Sequence, residues 1–281
     1  MHNDTASPVA PHTDSPPVGS AGKLVRRRIH FLDEIRGLDI LLMVLYHIFY
    51  VAGWIFDLSW GRTLFLFFRP VSPFFAGLFI FICGISCHLS HNNWKRGFIL
   101  ALIAAGISLV MWLADRWGIL PGQMIWFGIL HFLAVAILLF ALLRPLLTKI
   151  PPLAGLLICA LLFALTWKLP FHQGSVIGIP GVWEWKIPDS LIAMPALYPL
   201  GIGYGVGADY FPLFPWIFCF LCGSFVGVWA EQDRFPNWMY RRHAPFFSFI
   251  GKWTLPIYVV HQPIAYAVCW VGVALAGLIG G

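Results

Sequence analysis

Residues 33–50 read DEIRGLDILLMVLYHIFY, an apolar run with ionisable side chains set inside it. The run predicts a first membrane-spanning helix, and its charges need a reason, because one ionisable group in hydrocarbon costs roughly 3 kcal/mol. Asp33, Glu34 and Arg36 stand at the entrance, Asp39 one turn in and His47 deep inside. At about 100° per residue, positions 33, 36, 40, 43, 47 and 50 fall on one stripe. Asp33, Arg36, His47 and Tyr50 therefore share a face, and Arg36 is roughly 16 Å from His47 along the axis. A polar track is expected from the membrane surface to about the bilayer middle.

The rest of the chain fits a bilayer. Hydrophobic residues make up 59% and charged residues 11%, against about 25% charged in soluble domains. The reading is an all-α integral membrane protein, a multi-pass helical bundle. The charge of +6 would suit nucleic acid in a soluble protein; here it serves topology, and no nucleic-acid partner is expected. All six cysteines lie in apolar runs, so Cys219 and Cys222 read as small packing residues rather than a redox or metal pair.

Residues 1–27 form a Ser-, Pro- and Thr-rich tail ending in a basic cluster. It is expected to be disordered and cytoplasmic. Apolar segments follow at about 35–56, 72–91, 97–115, 124–144, 152–168, 212–230 and 254–278. Seven spans put thirteen of the eighteen Lys and Arg on the cytoplasmic side, with Arg62, Arg69, Arg116, Lys168 and Lys186 opposite. The stretch 191–207 is apolar but broken by Pro and Gly; it reads as re-entrant, with an eighth span as the alternative. The loop 57–71 has no assigned helix.

Several polar residues lie in or beside the spans. His47, a neutral imidazole on the polar stripe, is suited to taking a proton from an incoming hydroxyl or amine. His131, in IWFGILHFL, sits at a depth like that of His47; it could polarise or relay, or simply pack. Asp209, followed by Tyr210 in DYFPLFPW, could bind a polar acceptor or cap a helix. His261 and Gln262 lie about two turns inside the last span, lining a ligand entry or clasping helices together. His88 and His91 have a metal-ligand spacing without an evident third ligand, and no metal is expected. Nucleotide-binding and hydrolase motifs are missing, so any chemistry comes from the bundle.

The segments LDEIRGLDILLMVLYH (32–47), FIFICGIS (79–86), IWFGILHFL (125–133), DYFPLFPWIFCFLCGSFVG (209–227) and GKWTLPIYVVHQPI (251–264) are similar, in order, to the bacterial DUF1624 family. That family shares its domain with the catalytic part of heparan-α-glucosaminide N-acetyltransferase. The resemblance implies a transmembrane acyltransferase domain over 28–278, in the bacterial inner membrane with its N-terminus cytoplasmic. It implies acetyl-CoA or another acyl-CoA as co-substrate, no bound cofactor, and a sugar or glycan acceptor reached from the far side. A homodimer stays open. Arg36, held by Asp33, would position the donor with His261 and Gln262 nearby; Asp209 and Tyr210 would meet the acceptor. His47 matches the first-helix histidine taken as base in related acyltransferases. In the lysosomal heparan enzyme this position is Asn, and its histidine lies in the following luminal loop; here the loop 57–71 has none. The competing reading is a multi-pass transporter or proton-coupled permease, which would also place histidines and broken helices at mid-membrane.

Overall fold

The computed structural model describes residues 27–170, 175–179, 181–203 and 209–279. The tail read as disordered therefore lies outside the described residues, Arg27 excepted. α1 (His30–Tyr50) runs on through a π-helical turn, Val51–Ile55. There follow α2 (Ser59–Phe68), α3 (Ser72–Leu89), α4 (Asn93–Arg116), α5 (Ile129–Leu147) and α6 (Pro152–Thr166). A hairpin of β1 (Val176–Ile179) and β2 (Trp183–Lys186) pairs antiparallel, with Ile177 opposite Trp185. α7 (Asp189–Ile192), α8 (Leu213–Glu231), α9 (Pro245–Lys252) and α10 (Thr254–Ile279) complete the chain.

Each of the seven apolar segments is a helix. α1 with its π turn, α3, α4, α5, α8 and α10 are long and apolar enough to cross a membrane. α6, at 15 residues, rises about 22 Å. The seven alternate in direction. α3 ends beside the start of α1, where Arg36 Nη2 donates to Ser86 Oγ at 2.7 Å. α8 ends beside the ends of α3 and α5, where Glu231 meets His88 at 3.3 Å and Arg144 at 3.7 Å.

The eighth-span alternative finds no helix to carry it. Among the described residues of 191–207 there is only the end of α7 and a 3-10 turn, Pro195–Leu200. Pro195 and Pro199 lack the amide hydrogens a longer helix needs, and Gly201 and Gly203 turn the chain at φ of 96° and 114°. By contrast, the loop 57–71 contains α2, whose Phe65 stacks on Tyr46 with ring centroids 4.9 Å apart.

Two close helix crossings fix the frame. A methyl group at Gly37 of α1 would overlap the Phe247 carbonyl of α9, and one at Gly251 the Asp33 carbonyl. α3 and α8 meet in the same reciprocal way, through Gly84 against the Phe220 carbonyl and Gly223 against that of Phe81. Glu34 then caps α9: its Oε1 accepts from the backbone amides of His243 (2.8 Å) and Ala244 (2.9 Å). Fully buried Phe132, Phe140, Phe220 and Ile80 fill the core among α3, α5 and α8. α4, capped by Asn92 accepting from the Lys95 amide at 2.9 Å, packs closely on α5 alone among the described residues.

All six cysteines are free. Cys219 donates to the Gly77 carbonyl at 3.4 Å and Cys222 to that of Leu156 at 3.6 Å, as small packing residues in a dry core do.

Candidate active site

Two chambers open between α1, α3 and α10 on one side and α4 and α5 on the other. The first, about 1290 Å³, opens at the end where α1 begins. Arg27, Arg28, Arg36, Arg96, Arg144 and Lys252 line it, with Asp33 and Glu231 as the carboxylates among the described residues. The second, about 650 Å³, lies further along α1 and is lined by His47, Tyr50, Gln123, Asp209 and Gln262 among mainly apolar side chains. The stripe on α1 thus serves both: Asp33 and Arg36 line the first chamber, and Met43, His47 and Tyr50 the second.

The first chamber is strongly cationic, and its central arginine is held. Asp33 takes Arg28 Nε at 2.8 Å on one oxygen and Arg36 Nη1 at 3.2 Å on the other. Ser86 takes Arg36 Nη2. A guanidinium has five donors, so the clamp aims the group and leaves hydrogens for a ligand. Arg96 reaches the Ser86 carbonyl and Asn93, both at 3.4 Å. Fixed guanidinium groups around an open cavity suit phosphate oxygens.

The wall between the chambers is thin. One turn of α3 separates Phe79, in the first, from Ala76, in the second. Tyr258 and Gln262 part in the same way on α10, and on α5 the adjacent residues Leu130 and Ile129 line the first and the second chamber. The polar link across it joins Tyr258, from the first chamber, to Asp209, from the second. Tyr258 Oη donates to Asp209 Oδ2 at 3.1 Å, and the Ile129 amide donates to the same oxygen at 3.3 Å. Burial pushes the Asp209 carboxyl up to about 6 despite these two donors. Asp209 therefore caps α5 and closes the wall, while still edging the second chamber. Tyr210 points elsewhere: its hydroxyl donates to the Tyr198 carbonyl at 2.7 Å and its ring stacks on Tyr198.

His47 and His261 meet at this level, their ring centroids 4.9 Å apart and edge to face. His47 Nδ1 lies 2.8 Å from the Met43 carbonyl, and His261 Nδ1 lies 2.6 Å from that of Tyr258. A carbonyl oxygen only accepts, so each neutral ring carries its hydrogen on Nδ1 and a lone pair on Nε2. His261 is 6% exposed, and its Nε2 has no hydrogen-bond partner among the described residues. Part-buried His47 lines the second chamber, while buried His261 lines neither and sits one turn from Tyr258 of the first, so the two lone pairs supply a proton acceptor beside the wall.

His131 is not part of this group. Its Nδ1 accepts from the Gly128 amide at 3.3 Å and its Nε2 faces Ser108 Oγ at 3.1 Å. Ser108 gives its own hydrogen to the Ile125 carbonyl at 2.7 Å, so His131 donates from Nε2. It ties the start of α5 to α4 and lines neither chamber. Of the two residues expected near the donor, Gln262 lines the second chamber rather than the cationic first, and His261 lines neither. His88 turns to Glu231 and packs its ring against Phe140. Among the described residues no group of three His, Cys, Asp or Glu side chains is placed to hold a metal ion. Sequence reasoning missed Ser86, Tyr258 and the Tyr50–Gln123 hydrogen bond of 2.8 Å. For Tyr258 a signal existed, its i, i+3 spacing to His261 on one helix face.

These features define a helical membrane protein with two neighbouring cavities and a histidine pair beside the wall between them. The family described as heparan-alpha-glucosaminide N-acetyltransferase, catalytic, matches residues 28–263, and the chain belongs to it. Membership makes it a membrane acyltransferase. Comparison with curated proteins and with solved structures returns no match.

Proposed function

We propose that this protein transfers an acyl group, acetyl in the first instance, from acyl-CoA in the cationic chamber to a hydroxyl or amine in the second. The cationic chamber faces the cytoplasm and the second chamber the opposite side of a bacterial inner membrane. The observation carrying this reading is His47, which lines the largely apolar second chamber and meets His261, itself one turn from Tyr258 of the phosphate-suited first.

The guanidinium groups of Arg36 and Arg96 hold the phosphates of CoA, and the pantetheine arm runs along α1 toward Phe79, Leu130 and Tyr258. The acceptor enters beside His47. His47 Nε2 takes the acceptor's proton as its oxygen or nitrogen attacks the thioester carbonyl. The new C–O or C–N bond forms, the C–S bond breaks, and the CoA thiolate leaves into the first chamber and takes up a proton. His261, with its lone pair beside the His47 ring, shares the proton that His47 gains and so steadies the imidazolium. His131 holds the start of α5 and takes no part in the chemistry.

The test uses purified protein in lipid nanodiscs with radiolabelled acetyl-CoA and a panel of amino and hydroxyl acceptors. His47→Ala is expected to bind acetyl-CoA as wild type does and to lose transfer by at least ~100-fold. Turnover retained in a well-folded His47→Ala protein would remove His47 from the mechanism.

A further inference from the structure

The two chambers differ in a way that specifies the acceptor. Six Arg and Lys side chains line the first around their two carboxylates. No Lys or Arg lines the second among the described residues, and its one carboxylate, Asp209, already receives Tyr258 and the Ile129 amide. A chain that places guanidinium groups where phosphate is to bind has placed none where the acceptor goes. An anionic saccharide in that cavity would leave its charges without partners, at high cost away from water.

The apolar lining is also organised. The polar groups His47, Gln262 and the Tyr50–Gln123 pair are joined by Ile55, Val110, Met111, Ala114, Ile119 and Leu120. Ile55 comes from the π-helical turn after α1, and Ile119 and Leu120 from the turn after α4, on the far side of the bundle, where a cavity for a soluble sugar would be edged by polar groups. Val110, inside the spanning length of α4, is 63% exposed although it lines the chamber. Among the described residues α4 packs closely on α5 alone, and the exposed Val110 leaves the chamber open along its flank toward α1 and α10.

We propose that the acceptor is an amphiphile drawn from the membrane: a hydroxyl- or amine-bearing headgroup, without an anionic group in the chamber, on an alkyl or isoprenoid tail. The inference rests on the acyl-transfer reading above and narrows its acceptor. The headgroup meets His47, Gln262 and Tyr50, and the tail lies along Val110, Met111 and Ile119 and out past α4 into lipid.

The experiment compares methyl and octyl β-glucosaminide with an anionic heparin-derived disaccharide, using the full chain in nanodiscs with acetyl-CoA. Each buried methylene adds about fourfold to binding, so burying half of the octyl tail raises kcat/KM over the methyl glycoside by roughly 100-fold. Val110→Asn and, separately, Ile119→Asn are expected to cut that ratio about tenfold, with acetyl-CoA binding as the check on folding. Equal kcat/KM for octyl and methyl glycosides, or preference for the anionic disaccharide, overturns the proposal. Binding of the two glycosides, corrected for empty nanodiscs, is measured alongside. Tail-dependent binding that Val110→Asn weakens, without any transfer, would sink the acyl-transfer reading and keep the amphiphile site. Absence of tail-dependent binding overturns the site itself.

Discussion

Arg36→Ala gives the sharpest reading of the donor chamber. In the folded protein Arg36 spends one amino group on Asp33 and one on Ser86, leaving its remaining hydrogens for the cavity. One lost charge-assisted hydrogen bond to a phosphate is worth roughly 1.5–3 kcal/mol. At about 1.4 kcal/mol per tenfold, Kd for acetyl-CoA should rise between about 10- and 150-fold. The fold should survive, because Asp33 keeps Arg28 at 2.8 Å and so is not stranded as an unpaired buried charge. Arg36→Lys keeps the charge but cannot hold Asp33 and Ser86 in one plane while facing a phosphate, so it should fall between the two. The assay is equilibrium binding of acetyl-CoA to nanodisc-embedded protein, with a melting curve of each variant beside it. An Arg36→Ala protein that melts normally and binds acetyl-CoA within twofold of wild type would refute the placement of the donor phosphates.

Three further outcomes are expected. His261→Gln should lower kcat by about 10- to 100-fold with little change in acetyl-CoA affinity, since it acts on the proton and not on the donor; pre-steady-state transfer kinetics separate the two. Asp39 is 1% exposed and neither carboxylate oxygen has a partner among the described residues, so replacing this unpartnered carboxyl in Asp39→Asn should raise the melting temperature. Asp209, pushed up to about 6 from 3.8, binds its proton more tightly in the folded chain than in the unfolded one. Its contribution is full below about pH 4 and is lost as pH rises through about 6, roughly 3 kcal/mol at most; Asp209→Asn should flatten that part of the stability-against-pH curve.

What the sequence revealed follows from which interactions are local. The α1 stripe is a property of one helix, and its periodicity alone put Asp33, Arg36, His47 and Tyr50 on the face that lines both chambers. The seven apolar segments were equally plain, because crossing a bilayer needs length and apolarity and little else. Helix rotation was hidden. Nothing local to α5 or α10 says that His131 turns to Ser108 while His261 turns to His47; packing between helices decides both. α2 escaped because its 10 residues are too few to span, and its place depends on Phe65 finding Tyr46 and Tyr50. Glu34 looked like one more charge at the membrane entrance, whereas its task is to cap α9, some 210 residues further along the chain. Asp209 likewise takes its hydrogen bonds from Ile129 and Tyr258, far away in sequence on either side.

The central claim is that donor and acceptor enter from opposite faces and meet at His47. It is tested most directly in proteoliposomes of known orientation, with acetyl-CoA on one side and octyl β-glucosaminide delivered to the leaflet of the other. Transfer is expected only when acetyl-CoA is on the side where α1 begins, with the acylated glycoside on the opposite leaflet and none formed by His47→Ala. Product formed only when both substrates share one side would contradict the account.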